Sequence, residues 1–340
     1  MMGMRTPLLS SFLPAVVAVA SAVVPATATA APSFPAVPFA VQEHPAGETQ
    51  EDVAGHGEES HEWGTETMMH HIVDSDYLEF FGRTYPLPKW EPIQAGPLRI
   101  DMSPTKHTVF LWIATVLTIL TVWIAARRFS REDQAGEAPK GFLNFFETFY
   151  LYLRDEVALA NIGHGGERFV PYVVTLFFFI LYANLLGLVP YGATATSNIM
   201  VTAALAIISL VIVEAAGFAA LGPRGYLSTI FYVPKGLPKL MVPVMLIIMT
   251  PVEIIGKLAK PFALAVRLFA NMTAGHFVIL ALLGLILTYG SVSVIGGLSI
   301  FGALALGLFV MFLEIFVAFL QAYIFTILTA VFIGLIRHAH

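Results

Sequence analysis

Two of the most apolar stretches of this chain carry residues that could do acid–base chemistry. Arg267, Asn271 and His276 stand in one, Glu314 and Gln321 in the other. A charge held at mid-membrane costs from about 2.5 to 17 kcal/mol, depending on how far water reaches it, so residues of this kind are kept for a task. A histidine and a carboxylate can each take up and release protons near neutral pH once their surroundings adjust them. Arginine cannot carry a proton, because it stays charged in proteins. It suits instead holding a carboxylate ionised and blocking proton leakage.

Helical spacing tells which of these residues share a face. With Glu253 set at zero on an ideal helix, Lys257 falls near about +40°, Lys260 near −20°, Arg267 near −40° and Asn271 near zero. That is one polar stripe. Gly256, Ala259, Ala263, Ala270 and Ala274 fill the adjacent sector, a face of small residues that permits close approach of another helix, in this chain or in a partner. Glu314 and Gln321, seven residues apart, also share a face. An antiparallel hairpin turning between Gly290 and Gly297 sets Arg267 level with Gln321 and His276 level with Glu314. Arg267 and His276 lie about 180° apart on a straight helix, so for both to face one partner the helix must kink near Thr273-Ala274-Gly275 or make contact around its side.

The elements that must position these residues are membrane helices. Of 340 residues, 57% are hydrophobic and 12% charged, and the apolar ones gather into runs such as His107 to Ala126, Phe169 to Val189 and Ile199 to Leu221. Each approaches the roughly 20 residues needed to cross a hydrocarbon core. Val242 to Tyr289 and Val294 to Ile336 are longer than one crossing needs, so they are expected to tilt strongly or to lie partly at the surface. The chain has no cysteine, which excludes disulfides, thiolate metal sites and a Cys nucleophile.

The N-terminal part differs in character. Residues 1–30 combine Arg5, an apolar run and Ala28-Thr29-Ala30, the order of a secretory signal peptide with cleavage expected after Ala30; an uncleaved first helix is the alternative. Residues 31–106 carry 13 acidic and 4 basic side chains and form an exported acidic segment, partly disordered by composition. Its histidines (His44, His56, His61, His70 and His71) read as a solvated tail, because no ligand pair at helical spacing accompanies them. Residues 69–100 alternate weakly, as a short strand or small cap would.

Residues 107–340 form the membrane domain. Arg127, Arg128, Arg131 and Lys140 follow the first run, Arg224, Lys235, Lys239, Lys257 and Lys260 the third, and Arg337 stands at the end of the last, whereas the turns Pro190 to Asn198 and Gly290 to Gly297 hold no Lys or Arg. The positive-inside rule then gives five crossings, an exported mature N-terminus and a cytoplasmic C-terminus. The aromatic-rich segment Phe142 to Leu153 is expected to lie along the inner membrane surface. The fold class is all-α: a polytopic membrane protein whose two long tilted C-terminal helices make an antiparallel hairpin.

The stretch Leu264-Ala-Val-Arg-Leu-Phe-Ala-Asn-Met with Ala274-Gly-His, then Glu314 and Leu320-Gln-Ala-Tyr-Ile-Phe-Thr-Ile-Leu-Thr, closely resembles subunit a of the F-type ATP synthase. The resemblance runs over roughly residues 105 to 340 and includes Tyr182-Ala-Asn-Leu-Leu-Gly-Leu-Val-Pro and Thr194-Ala-Thr-Ser-Asn-Ile-Met-Val-Thr. It implies a stator subunit beside a rotating ring of c subunits, joined by a b-subunit stalk, in the cell inner membrane. The arginine matched by Arg267 would face the ring carboxylate and separate two proton half-channels. Asn184, Asn271, Gln321 and the pair His276 and Glu314 would line or support the path. The resemblance implies no cofactor, no nucleic-acid partner and no catalysis by this chain alone, since ATP is handled by other subunits.

Other classes predict other features. A secondary transporter or anion channel binding a substrate carboxylate through Arg267 would show an internal repeat with paired broken helices, and none is visible. His-Glu-x-x-His is absent, which excludes a zinc-protease helix of that type, and no Gly-rich phosphate loop with Lys-Ser/Thr occurs.

Overall fold

A computed structural model describes residues 75, 77–80, 83–90, 93–95, 98–100, 103–135, 142–189, 192, 194–231, 238, 241–289 and 294–338. The expected signal peptide and the histidines of the acidic segment lie outside the described residues. Two small antiparallel hairpins come first, β1 (Tyr77–Phe80) with β2 (Arg83–Pro86) and β3 (Ile93–Ala95) with β4 (Leu98–Ile100). The weak alternation over 69–100 thus resolves into two strand pairs.

Helices make up the rest: α1 (Lys106–Ala135), α2 (Phe142–Tyr152), α3 (Val170–Gly187), α4 (Ile199–Ile230), α5 (Val242–Tyr289) and α6 (Val294–Arg337). Among the described residues five helices, all but α2, are long and apolar enough to cross a membrane. The core is α3. Thirteen of its 18 residues are buried, Phe177, Phe179 and Ile180 almost completely, between α1 on one side and α6 on the other. Lipid tails are as apolar as these side chains, so close packing rather than transfer from water holds such helices together. Phe149 and Phe177 both make ring contacts with Phe319 of α6 at 5.4 to 5.7 Å, and Phe146 stacks on Phe178 at 5.3 Å. Tyr182 of α3 hydrogen-bonds Thr121 of α1 at 2.7 Å.

Phe146 and Phe149 of α2 therefore face the bundle, while Asn144, Thr148 and Tyr152 are exposed. The helix continues through a π-helical turn, Leu153–Leu159, whose wider winding buries Leu153, Val157 and Ala158 against the same core. At its far end the chain turns on Gly163 and Gly165, both at φ +74°, a left-handed geometry that glycine adopts without cost. The end of α6 docks on this turn. Arg337 donates to the His164 carbonyl at 2.7 Å and lies 5.6 Å from the Phe169 ring, and His338 Nε2 donates to the Ile162 carbonyl at 3.2 Å.

Asn198 caps α4 by accepting from Met200 N–H at 2.9 Å. The helix breaks at Gly222 (φ 67°), directly before Pro223, which limits the straight part to the apolar run Ile199 to Leu221. Pro251 and Pro261 leave α5 continuous over 48 residues. Helices α5 and α6, of 48 and 44 residues, pack along each other as the expected hairpin.

Candidate functional site

The polar residues of α5 and α6 separate onto two faces. Leu264, Ala265, Leu268 and Met272 are buried and seat α5 on the chain. Gly275 belongs to the same seam: a Cβ there would overlap the Glu314 carboxylate, so only glycine lets that acid touch the α5 backbone. His276 follows at once, and its Nδ1 lies 3.6 Å from Glu314 Oε1. That separation exceeds a hydrogen bond, so the two groups interact as charges or through an intervening molecule.

On its other side the imidazole meets Thr194, whose hydroxyl hydrogen-bonds His276 Nε2. Thr194 is presented by a 3₁₀ turn, Ala195–Ser197, lying between α3 and α4. It can sit so close because Gly187, at the last turn of α3, has no side chain; a Cβ there would overlap Thr194. Within the turn Thr196 donates to Asn184 Oδ1 at 2.7 Å, and Asn184 Nδ2 donates to the Ala318 carbonyl of α6 at 3.3 Å. Asn184 and Thr196 are both fully buried, so this bridge fixes the turn to α3 and α6 at once.

Deeper along the hairpin Asn271 Nδ2 donates to Gln321 Oε1 at 3.1 Å. Hairpin register had set Arg267 level with Gln321, but among the described residues no hydrogen bond joins them. Asn271, one turn further along α5, takes the contact instead. The opposition of Arg267 and His276 around the helix thus needs no kink: the histidine points to α6 and the arginine points away. Gln321 Nε2 and Glu314 Oε2 are buried with no hydrogen-bond partner among the described residues.

Arg267 is exposed. Its neighbours on the outer face, Ala259, Ala263, Ala270 and Ala274, are exposed too, and a Cβ at Gly256 would meet nothing within 4 Å. The small-residue face therefore does not pack on this chain. Among the described residues no carboxylate pairs with the guanidinium.

On the opposite side of Arg267 along α5 lies a cavity of about 130 Å³ between α4, α5 and α6. Glu214, Glu253, Lys257, Lys260 and Thr329 are among the residues that line it. Lys257 Nζ and Glu214 Oε2 form an ion pair at 3.2 Å, Tyr226 donates to the same oxygen at 2.5 Å, and the ammonium lies 4.8 Å from the Tyr226 ring. Tyr226 stands beyond the Gly222 break, so the bend of α4 brings it back over α5. Lys260 ends about 10 Å before Arg267 and His276 begins about 13 Å after it, at 1.5 Å per residue.

The sequence named Asn184, Asn271, His276, Glu314 and Gln321, and the structure brings all five into contacts linking α3, α5 and α6. It named Gly275 only as part of a kink and did not name Thr194, Thr196, Gly187 or Glu214 for any role. Gly187, Thr194, Thr196 and Gly275 all lay inside the stretches that carried the resemblance, whereas Glu214 did not.

Comparison with known proteins agrees with this arrangement. A family profile described as "ATP synthase A chain" matches residues 108–334. The chain is 42% identical over 313 residues to ATP synthase subunit a of Anaeromyxobacter dehalogenans strain 2CP-C, covering 88% of this chain and 78% of that protein. It is 43% identical to ATP synthase subunit a 2 of Chlorobaculum tepidum, over 92% of this chain and 84% of that one. For ATP synthase subunit a of Chloroherpeton thalassium the identity is 46%, over 78% and 75%. A multi-pass helical membrane protein matched over this much of its length belongs to the ATP synthase A chain family.

Proposed function

We propose that this chain is the stator face of a proton-driven rotary motor, in which Arg267 meets the membrane carboxylate of each passing c subunit and keeps two proton half-channels apart. By itself the chain is not an enzyme; it is a proton-translocating membrane subunit of an ATP synthase. The observation that carries the proposal is the position of Arg267. The guanidinium is exposed on a face of alanines and stands between the half-buried His276 with its buried partner Glu314 and the Glu253–Lys260 cavity. A permanent cation facing outward at that depth calls for an anion from another molecule. The alanine face supports a partner helix approaching closely enough to supply it.

Protons enter from the exported side past Thr194, His276 and Glu314, and Asn184, Asn271 and Gln321 hold that path in register. The unpartnered Glu314 Oε2 and Gln321 Nε2 support this, since buried polar atoms of this kind are served by water. After riding the ring, protons leave through the cavity at the cytoplasmic end. The stalk is supplied by b subunits, the membrane is the cell inner membrane, and the N-terminal 30 residues act as a cleaved signal that exports residues 31–106. A channel or transporter binding its substrate through Arg267 would hold the guanidinium inside its own bundle, not on the outside.

The test is Arg267→Ala in the assembled complex, reconstituted into vesicles and driven by a pH jump. ATP synthesis falls to background while the complex keeps its subunits. Synthesis at the unmodified rate in that variant overturns the proposal.

A further inference from the structure

We infer that His107, on the first turn of α1, is a further proton-carrying group of this subunit, feeding the His276–Glu314 pair through the Thr194–Ser197 turn. The inference rests on the proton path proposed above. His107 is buried to 4% exposure, and its Nε2 lies 3.4 Å from the Ser197 hydroxyl. Ser197 spends its own proton on the Thr194 carbonyl at 2.8 Å. Its oxygen is therefore left to accept, so His107 Nε2 is the donor. Two residues of one turn thus each hold a histidine, Ser197 holding His107 from α1 and Thr194 holding His276 from α5.

The turn is well built for this. Thr196, between them, is tied to Asn184, so neither hydroxyl can drift. It packs against α1, α3, α4 and α5 together. The carbonyl of Thr194 cannot pass a proton on, so Ser197 turns its proton from that carbonyl to a bridging water as it takes the one from His107, and the water hands a proton to the Thr194 hydroxyl as that hydroxyl gives its own to His276. A histidine is the side chain suited to load such a step, because it both accepts and releases a proton near neutral pH. Its place suits entry as well. Lys106 N–H beside it donates to the Ser75 carbonyl at 3.0 Å, so His107 sits where the exported segment leads into the membrane. The hydroxyls of Thr105 and Thr108, 3.0 Å apart, flank it on the same turn.

The experiment uses the complete synthase in vesicles driven by a pH jump, with His107→Ala, His107→Gln and Arg267→Ala compared. His107→Ala lowers the rate of ATP synthesis about a hundredfold, the low end of what a positioned proton-transfer group contributes. Added imidazole, which fits the space left by the side chain, restores most of that loss. His107→Gln, which still donates to Ser197 but cannot titrate, stays low. A wild-type rate in either His107 variant, or a low rate in His107→Ala that imidazole does not raise, overturns the inference and leaves His107 a packing residue. The Arg267→Ala arm separates the two failures. If it is inactive while the His107 variants run normally, only the role of His107 falls; if it too runs normally, the rotor reading falls first.

Discussion

Helices α3 and α5 have nearly the same hydropathy and opposite surroundings. In the most apolar 18-residue stretch of α3, 72% of residues are buried, whereas in that of α5 none are. Apolarity says that a helix lives in a membrane and is silent on whether protein or lipid covers it. What separates the two is the kind of residue. Helix α3 carries large interlocking side chains, Phe177, Phe178 and Phe179, and no charge. Helix α5 leaves branched aliphatics such as Ile247, Ile248 and Ile255 uncovered in that stretch and, further along, alanines beside the Arg267 guanidinium.

That contrast can be broken most sharply by enlarging one face and emptying the other. Ala270→Trp should leave the chain folded in the membrane but hold a partner helix off Arg267, cutting proton-driven ATP synthesis by at least about a hundredfold, equivalent to about 2.7 kcal/mol on the barrier. Phe177→Ala does the reverse, opening a cavity worth about 3 kcal/mol in the core and lowering the yield of folded chain, measured by thermal unfolding in detergent. If Ala270→Trp unfolds the chain, the alanine face is core after all.

Gly275→Ala probes the seam between the two regimes. It should displace the Glu314 carboxylate and slow proton flux about tenfold, with the thermal midpoint lowered only modestly. An unchanged flux would show that Glu314 need not touch α5. Tyr226→Phe removes one hydrogen bond to Glu214, within α4 across its break, and should cost about 1 kcal/mol, the net worth of a typical hydrogen bond, read as a small drop in midpoint. Phe309→Leu, on the exposed part of α6, should shift neither midpoint nor flux by more than about 0.5 kcal/mol.

Much of the architecture was legible because period and run length are local. The five long helices, the hairpin and the contact of His276 with Glu314 all follow from counting along two helices about a shared turn. Counting could not settle which side chain of one helical turn wins a partner, so Gln321 goes to Asn271 rather than Arg267. That choice depends on the rotation of α5, which is set by Leu264, Leu268 and Met272 seating against the bundle. The turn Ala195–Ser197 was legible as a loop without Lys or Arg and as part of the resemblance, but its place beside His276 was not, because that depends on Gly187 lacking a side chain. Helix α2 was read as a surface helix from its aromatics. Their partners, Phe177, Phe178 and Phe319, are distant in sequence, and nothing local announces them.

The docking of Arg337 and His338 on the glycine turn has a mechanical consequence. From Ala318 to Gly334 the last helix is gripped on one side, with Ala322, Phe325, Ala330 and Ile333 fully buried, while Phe301 to Phe316 stand largely free. It is a beam built in at one end. A built-in beam deflects least beside its support and most at its tip, so sideways drag moves the tip while Gln321 keeps its position. Glu314 sits just where stiffness gives way to compliance.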